Sequence, residues 1–268
     1  TSWTTNTDQL TVIGVTDLSI DPNNTQIMYL ATGDGEAADS YSVGVLKSTD
    51  GGATWNTTGL NWAVTLGRTI SKLVMHPTNS LILLAATSNG IYRTTNGGTS
   101  WTQTSTGNFK DLELNPTTPN TVYISGTIFR RSTDNGVTWT TITSGLPTTG
   151  IQRIATAVTP ANNAYVYLLI GRSSDQGLLG VYRSTNNGVT FTLQKGPTGP
   201  NLLGWNSNGN DAGGQAFYDL SLAVDPNNAD ILVVGGVNVW RSTNGGVAWT
   251  IHAHWTGSGA PYVHDDIH

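Results

Sequence analysis

Three groups of side chains in this 268-residue sequence have types and spacings that could do chemistry. The first is Thr32-Gly-Asp34-Gly-Glu36-Ala-Ala-Asp39-Ser-Tyr41, which puts three carboxylates within six residues of a chain that has only two glutamates. Glycoside hydrolysis needs two carboxyls facing one scissile bond, calcium takes several oxygen ligands, and a solvated acidic loop needs neither. All three readings fit. The second group is His264-Asp-Asp266-Ile-His268. On a strand, His264, Asp266 and His268 share a face. Two imidazoles and a carboxylate form a plausible site for a divalent ion, zinc or calcium, or an ordinary polar strand. The third group is Trp62, Trp205 and Trp255, the last two in long Gly- and Asn-rich stretches. Exposed aromatic faces stack on sugar rings, and buried ones plug gaps between packed elements.

The elements that must position these groups come from a repeat. An eight-residue segment occurs five times: Ser48-Thr-Asp50-Gly-Gly52-Ala-Thr54-Trp55, then copies at 94–101, 132–139, 184–191 and 242–249, each closed by Trp or Phe. Asp or Asn at the third position (Asp50, Asn96, Asp134, Asn186, Asn244) can bond nearby backbone, Gly at the fifth supplies a positive φ, and flanking hydroxyls tie the turn. These five are expected to be structural residues. Upstream of each copy, short β-branched and aromatic runs separated by Pro, Asn and Gly turns read as antiparallel strands. With the strand after the turn there are four per repeat. The closing aromatics lie 46, 38, 52 and 58 residues apart, spacings that suit four-stranded propeller blades.

The pattern S/T-x-D/N-x-G-x-S/T-W/F resembles the Asp-box, or BNR repeat, of sialidases, sortilin-type receptors and xyloglucan-hydrolysing propellers. The box recurs across unrelated activities, so it speaks to fold rather than function. The His264-to-His268 opening and the stretches Phe217-Tyr-Asp-Leu-Ser-Leu and Gly235-Gly-Val-Asn-Val-Trp240 are similar to those of secreted Bacteroidetes-type surface propellers. The resemblance implies that ligands bind near the axis, on the face bearing the loops between second and third strands and the links between blades. In xyloglucan-hydrolysing propellers a catalytic aspartate lies in a similar loop, and Asp34 matches it best; its partner acid lies on another propeller domain. Glu36 and Asp39 share that loop as candidate ligand contacts.

Aligned by repeat, the inner strands open on Asp17, Lys72, Asp111, Arg153 and Asp219, all charged. The expectation is side chains pointing into a wet channel and pairing with neighbours, with Arg153 a candidate ligand contact. A sialidase would need three arginines gripping a carboxylate. Only Arg68, Arg153 and Arg172 lie away from the turns, no Phe-Arg-Ile-Pro motif occurs and no Tyr/Glu nucleophile pair is evident, so sialidase activity is disfavoured.

Composition narrows the class further. Charged residues make up 11% and cysteine is absent, which fits an extracellular bacterial protein. A net charge of −5 argues against nucleic acid or an anionic membrane as the main partner, and no apolar run reaches bilayer-spanning length. Thr1-Ser2-Trp3-Thr4 repeats Thr99-Ser100-Trp101-Thr102, as the tail of a sixth box would. The expected architecture is an all-β propeller segment. Residues 1–12 would be the last strand of a preceding blade, 13–61, 62–107, 108–145, 146–197 and 198–255 five blades, and 256–268 the first strand of another. The leading functional expectation is an extracellular binding or adhesion module contacting polysaccharide or protein. The alternative is a xyloglucanase-type glycoside hydrolase whose second acid lies outside this chain.

Overall fold

The computed structural model describes residues 14–36 and 39–264. The terminal segment 1–4 and the positions Asp266 and His268 of the metal motif lie outside them. The described residues form five four-stranded antiparallel sheets, each with its strands paired in chain order, the blades of a β-propeller segment. The first sheet holds β1 (Val15–Ile20), β2 (Met28–Thr32), β3 (Gly44–Ser48) and β4 (Asn56–Asn61). The second holds β5 (Ile70–Met75), β6 (Leu83–Thr87), β7 (Gly90–Thr94) and β8 (Thr102–Thr106). The third holds β9 (Phe109–Leu114), β10 (Val122–Gly126), β11 (Phe129–Ser132) and the short β12 (Thr140–Thr141). The fourth holds β13 (Ile151–Val158), β14 (Val166–Arg172), β15 (Leu178–Ser184) and β16 (Thr192–Lys195). The fifth holds β17 (Ser221–Val224), β18 (Leu232–Gly235), β19 (Val239–Ser242) and β20 (Thr250–Ala253). A single 3-10 turn, Val64–Leu66, is the only helical element described, so no described helix could cross a membrane. The chain divides into two compact units, the first running to Leu112 and including Asp134–Trp139, the second comprising Glu113–Thr133 and everything from Thr140.

The repeated turn joins the third and fourth strands of every sheet. Its first residue, Ser48, Thr94, Ser132, Ser184 or Ser242, ends the third strand and is buried there. In four copies that hydroxyl accepts the N–H of the fifth-position glycine, at 2.8 Å for Ser48 and Gly52, 3.1 Å for Thr94 and Gly98, 2.9 Å for Ser184 and Gly188, and 3.0 Å for Ser242 and Gly246. The third-position side chain reaches forward to the seventh-position N–H: Asp50 accepts from Thr54 at 2.8 Å, Asn96 from Ser100 at 3.0 Å, Asp134 from Thr138 at 2.9 Å, Asn186 from Thr190 at 3.0 Å and Asn244 from Ala248 at 2.9 Å. The two residues between run left-handed, from φ 70° and 88° at Gly51 and Gly52 to 57° and 76° at Asn187 and Gly188. Only Gly or Asn enters that region cheaply, which is why the fourth position is Gly or Asn and the fifth always Gly.

A second regularity ties three of the turns to the sheet before them. Lys47 donates to the Gly97 carbonyl at 3.1 Å, Arg93 Nε to Asn135 at 2.7 Å, and Arg131 Nε to Asn187 at 2.7 Å. In each case a base one place before one turn grips the fourth-position carbonyl of the next. Tyr29 OH adds a bond to the Gly97 carbonyl at 3.0 Å. The closing aromatics anchor the same junctions. Phe191 and Trp249 are buried in the cores of the second unit, and Trp139 Nε1 donates to Thr104 at 3.1 Å.

Apolar cores lie between successive sheets within each unit. Tyr29 and Ala31 of β2 pack with Leu73 and Met75 of β5 in the first unit, and Tyr123 and Phe129 pack with Ile154 and Ile170 in the second. Trp62 belongs to the first of these cores. It is buried, meets Tyr92 edge-on with centroids 5.6 Å apart, and carries the Arg68 guanidinium 5.1 Å from its ring. Of the two readings for Trp62, the exposed sugar platform is corrected and the buried plug stands, its aromatic surface being covered by Tyr92 and Arg68.

Two outcomes follow for stability. Trp62→Ala is expected to cost about 3–5 kcal/mol in denaturant unfolding; a loss under about 1 kcal/mol would show that the ring is not core. The Thr54 hydroxyl and N–H, then the Ser48 hydroxyl, hold the Asp50 carboxyl at about 2, against an ordinary 3.8. Stability from this depressed value is present above 3.8 and is lost as pH falls through about 2. Asp50→Asn, which copies the Asn96 turn, should therefore flatten the fall in melting temperature across that acid window. Parallel melting curves for variant and parent would show that the carboxylate is not held by the turn.

Candidate functional site

Within the first unit, the site begins where β1 and β5 start. Each of these strands has a bulge at its first residues, between Val15 and Asp17 and between Ile70 and Lys72, and a bulge re-aims the side chain beyond it. Asp17 Oδ2 accepts the Leu73 N–H at 2.8 Å, binding the first inner strand to the second. Lys72 and Asp111 form an ion pair at 3.7 Å. Lys72 and Asp111 thus pair along the inner strands, whereas Asp17 bonds backbone.

Asp34 follows β2 directly above this row. Its N–H donates to the Ser40 carbonyl at 2.7 Å and its Oδ1 accepts the Glu36 N–H at 2.7 Å. The next residue, Gly35, is held from three sides. Its N–H donates to Thr16 Oγ1 at 3.0 Å, its carbonyl accepts from Lys110 Nζ, and a Cβ there would meet the Ile70 carbonyl at 2.7 Å. Asp34 and Glu36 are half-buried and Asp39 is exposed. Among the described residues no three His, Cys, Asp or Glu side chains gather closely enough to hold an ion. Within the turn, a carboxylate oxygen of Asp34 is used to satisfy backbone. His264 is exposed, and the other two members of its motif lie outside the described residues. Lys110 was not among the residues the sequence singled out; it carries no motif and matters only because the loop folds back onto it.

In the second unit, the candidate Arg153 is buried, and its Nη1 donates to the Tyr218 carbonyl at 2.9 Å. Asp219 is buried as well. The expectation of exposed side chains is corrected for these two: both are buried, and Arg153 meets the link that leads into β17. Arg172 is engaged too, in a bidentate pair with Asp175 at 2.8 and 2.7 Å. The carboxylate raises the guanidinium's value, and the guanidinium holds Asp175 below the ordinary carboxylate range. With Arg68 over Trp62, all three arginines left over by the repeat have structural partners.

The remaining tryptophans are brought together. Trp205 and Trp255 are 36% and 37% exposed, and Trp255 Nε1 donates to the Trp205 carbonyl at 3.1 Å. They line one cleft of ≈ 430 Å³. Polar residues that sequence reasoning passed over, Asn201 and Asn238 buried and Asp211 half-buried, fix its geometry. Asn201 accepts the Leu178 N–H at 3.0 Å and donates to the Gly213 carbonyl at 2.7 Å, closing the 196–216 link on itself. Asp211 accepts the Trp205 N–H at 2.6 Å, and Asn238 accepts the Trp255 N–H at 3.1 Å while donating to the Gly204 carbonyl at 2.9 Å. Asn, Asp and Gly in the link are ordinary turn formers, so no local signal separates Asn201 and Asn238 from their neighbours.

No family model matches the chain. Among curated proteins it is similar to a xyloglucanase of Acetivibrio thermocellus, 26% identical over 299 residues that cover 92% of this chain and 33% of that protein. Among solved structures it is similar to a GH74 enzyme of Niastella koreensis, at TM-score 0.61 and 26% identity over 92% of this chain and 40% of that one. The GH74 xyloglucanase of Xanthomonas campestris superposes at TM-score 0.64 over 96% of this chain and 42% of that one; at 16% identity this likeness concerns the fold alone. The chain spans less than half the length of each of these relatives, and it shares with them a β-propeller built of four-stranded blades.

Proposed function

We propose that this chain is part of a glycoside hydrolase propeller of the xyloglucanase type, and that Asp34 supplies one of its two catalytic carboxyls. The similarity to xyloglucanases across 92% of the chain points to the substrate class. The observation that carries the site is the seating of Asp34: half-buried, at the end of a second strand, with its backbone pinned by Ser40, and Gly35 beside it by Thr16 and Lys110. A carboxylate accepting the Glu36 N–H suits the ionised role, orienting water or stabilising positive charge at the sugar. The protonated partner would face it from outside this chain, since cleavage needs a carboxyl on each side of the bond.

The remaining blades of the propeller are part of this proposal. Leu73 and Met75 on β5 are 3% and 9% exposed beneath the sheet before them, whereas Leu18 and Ile20, at the same register on β1, are 47% and 42% exposed. A further blade covering β1 would bury that pair as β5 is buried. We also propose that the five turns are Asp-boxes, that the blade limits follow the repeat, and that the protein acts outside a bacterial cell, where its polysaccharide substrate would lie.

The test is hydrolysis of soluble xyloglucan and of mixed-linkage β-glucan by the complete protein. Asp34→Asn should lower kcat by about 10²–10⁴-fold with the melting temperature retained. An unchanged rate would remove Asp34 from the mechanism. A complete protein that binds xyloglucan without cleaving it would instead support the binding-module reading, which the paired Trp205 and Trp255 favour.

A further inference from the structure

We infer that the cleft between Trp205 and Trp255 is a binding site for an uncharged pyranose unit of a polysaccharide. This deepens the polysaccharide reading and does not require Asp34 to be catalytic.

The first observation is preorganisation. Tryptophan rings in a flexible, Gly-rich link would lose much of their stacking energy in becoming ordered, and these rings are already ordered. The Trp205 backbone is fixed at both ends, its N–H on Asp211 and its carbonyl shared by Trp255 Nε1 and His254 Nε2 at 3.1 and 2.9 Å. One part of its ring lies across Gly213, where an added Cβ would come within 3.3 Å of Cζ3. Trp255 is held at its N–H by Asn238 and at Nε1 by the Trp205 carbonyl. Both rings nevertheless keep more than a third of their surface exposed. Exposed aromatic surface held by hydrogen bonds from neighbouring polar groups is the arrangement that lets binding energy appear as affinity.

The second observation is the charge of the cleft. Its lining side chains include no carboxylate, lysine or arginine; the rim is made by Asn206, Asn208, Asn210 and Ser258 with their neighbours. The one titratable side chain, His254, is buried, and its Nδ1 accepts the N–H groups of Thr256 and Ser258 at 3.2 and 3.3 Å. Amides and hydroxyls bond sugar hydroxyls in either direction, whereas an anionic uronate would find no cation here. A volume of ≈ 430 Å³ falls among small-ligand sites.

The experiment is affinity electrophoresis of the full chain in gels containing neutral xyloglucan or anionic polygalacturonate, with titration of tryptophan fluorescence by a xyloglucan oligosaccharide. Retardation and fluorescence change are expected with xyloglucan only. Trp205→Ala and Trp255→Ala should each weaken binding about tenfold or more, and Trp205→Phe should restore most of it. The Trp205 bonds to Asp211, His254 and Trp255 use its backbone, so Trp205→Ala should melt like the parent. The inference is overturned if the parent chain does not bind the neutral polysaccharide, if polygalacturonate binds as tightly, or if the two alanine variants bind like the parent. Hydrolysis is not measured here, so the fate of Asp34 as a catalyst leaves this outcome unaffected.

Discussion

The interaction on which the rest of the structure depends is the bond from a glycine N–H to a buried Ser or Thr hydroxyl at the end of a third strand, made in four of the five turns. It closes a turn that contains two successive left-handed residues, a conformation costly for most side chains. Once closed, the turn sends the chain back as a fourth strand, places a large aromatic at the junction, and presents its fourth-position carbonyl outward. That carbonyl is where Lys47, Arg93 and Arg131 attach. One local motif thus completes its own sheet and offers the sheet before it a charged hydrogen bond, roughly twice as strong as a neutral one.

This economy explains why the chain's few cations are unavailable for chemistry at the repeated positions. Lys47, Arg93 and Arg131 bind neighbouring turns, Arg183 pairs with Asp230, and Arg68, Arg153 and Arg172 bind a tryptophan face, a carbonyl and a carboxylate. What is free to vary is the backbone that the repeat does not constrain: the loops after second strands and the links between sheets. Asp34 sits in one such loop and Trp205 in one such link. Both are fixed by the same device, a side-chain oxygen accepting backbone N–H groups a few residues away, Asp34 toward Glu36 and Asp211 toward Trp205. Rigid scaffolds carry their function in such segments.

The sequence by itself determined the four-stranded repeat, the position of every turn between third and fourth strands, and the structural duty of Asp50, Asn96, Asp134, Asn186 and Asn244. It could do so because those bonds join residues no more than four apart, and the φ requirement is written in Gly and Asn. The candidate sites were legible only as residue types. Trp62, Trp205 and Trp255 look alike in the chain. Tertiary packing buried the first under Arg68 and Tyr92, and it left the other two facing one cleft by way of Asn201, Asp211 and Asn238. Arg153 and Lys72 occupy the same repeat position, yet one is covered by its neighbouring link and the other pairs with Asp111 at the surface. Burial depends on what arrives from tens of residues away, and hydrogen bonds from ordinary turn residues decide where those segments come to rest; neither is encoded in the spacing of a motif.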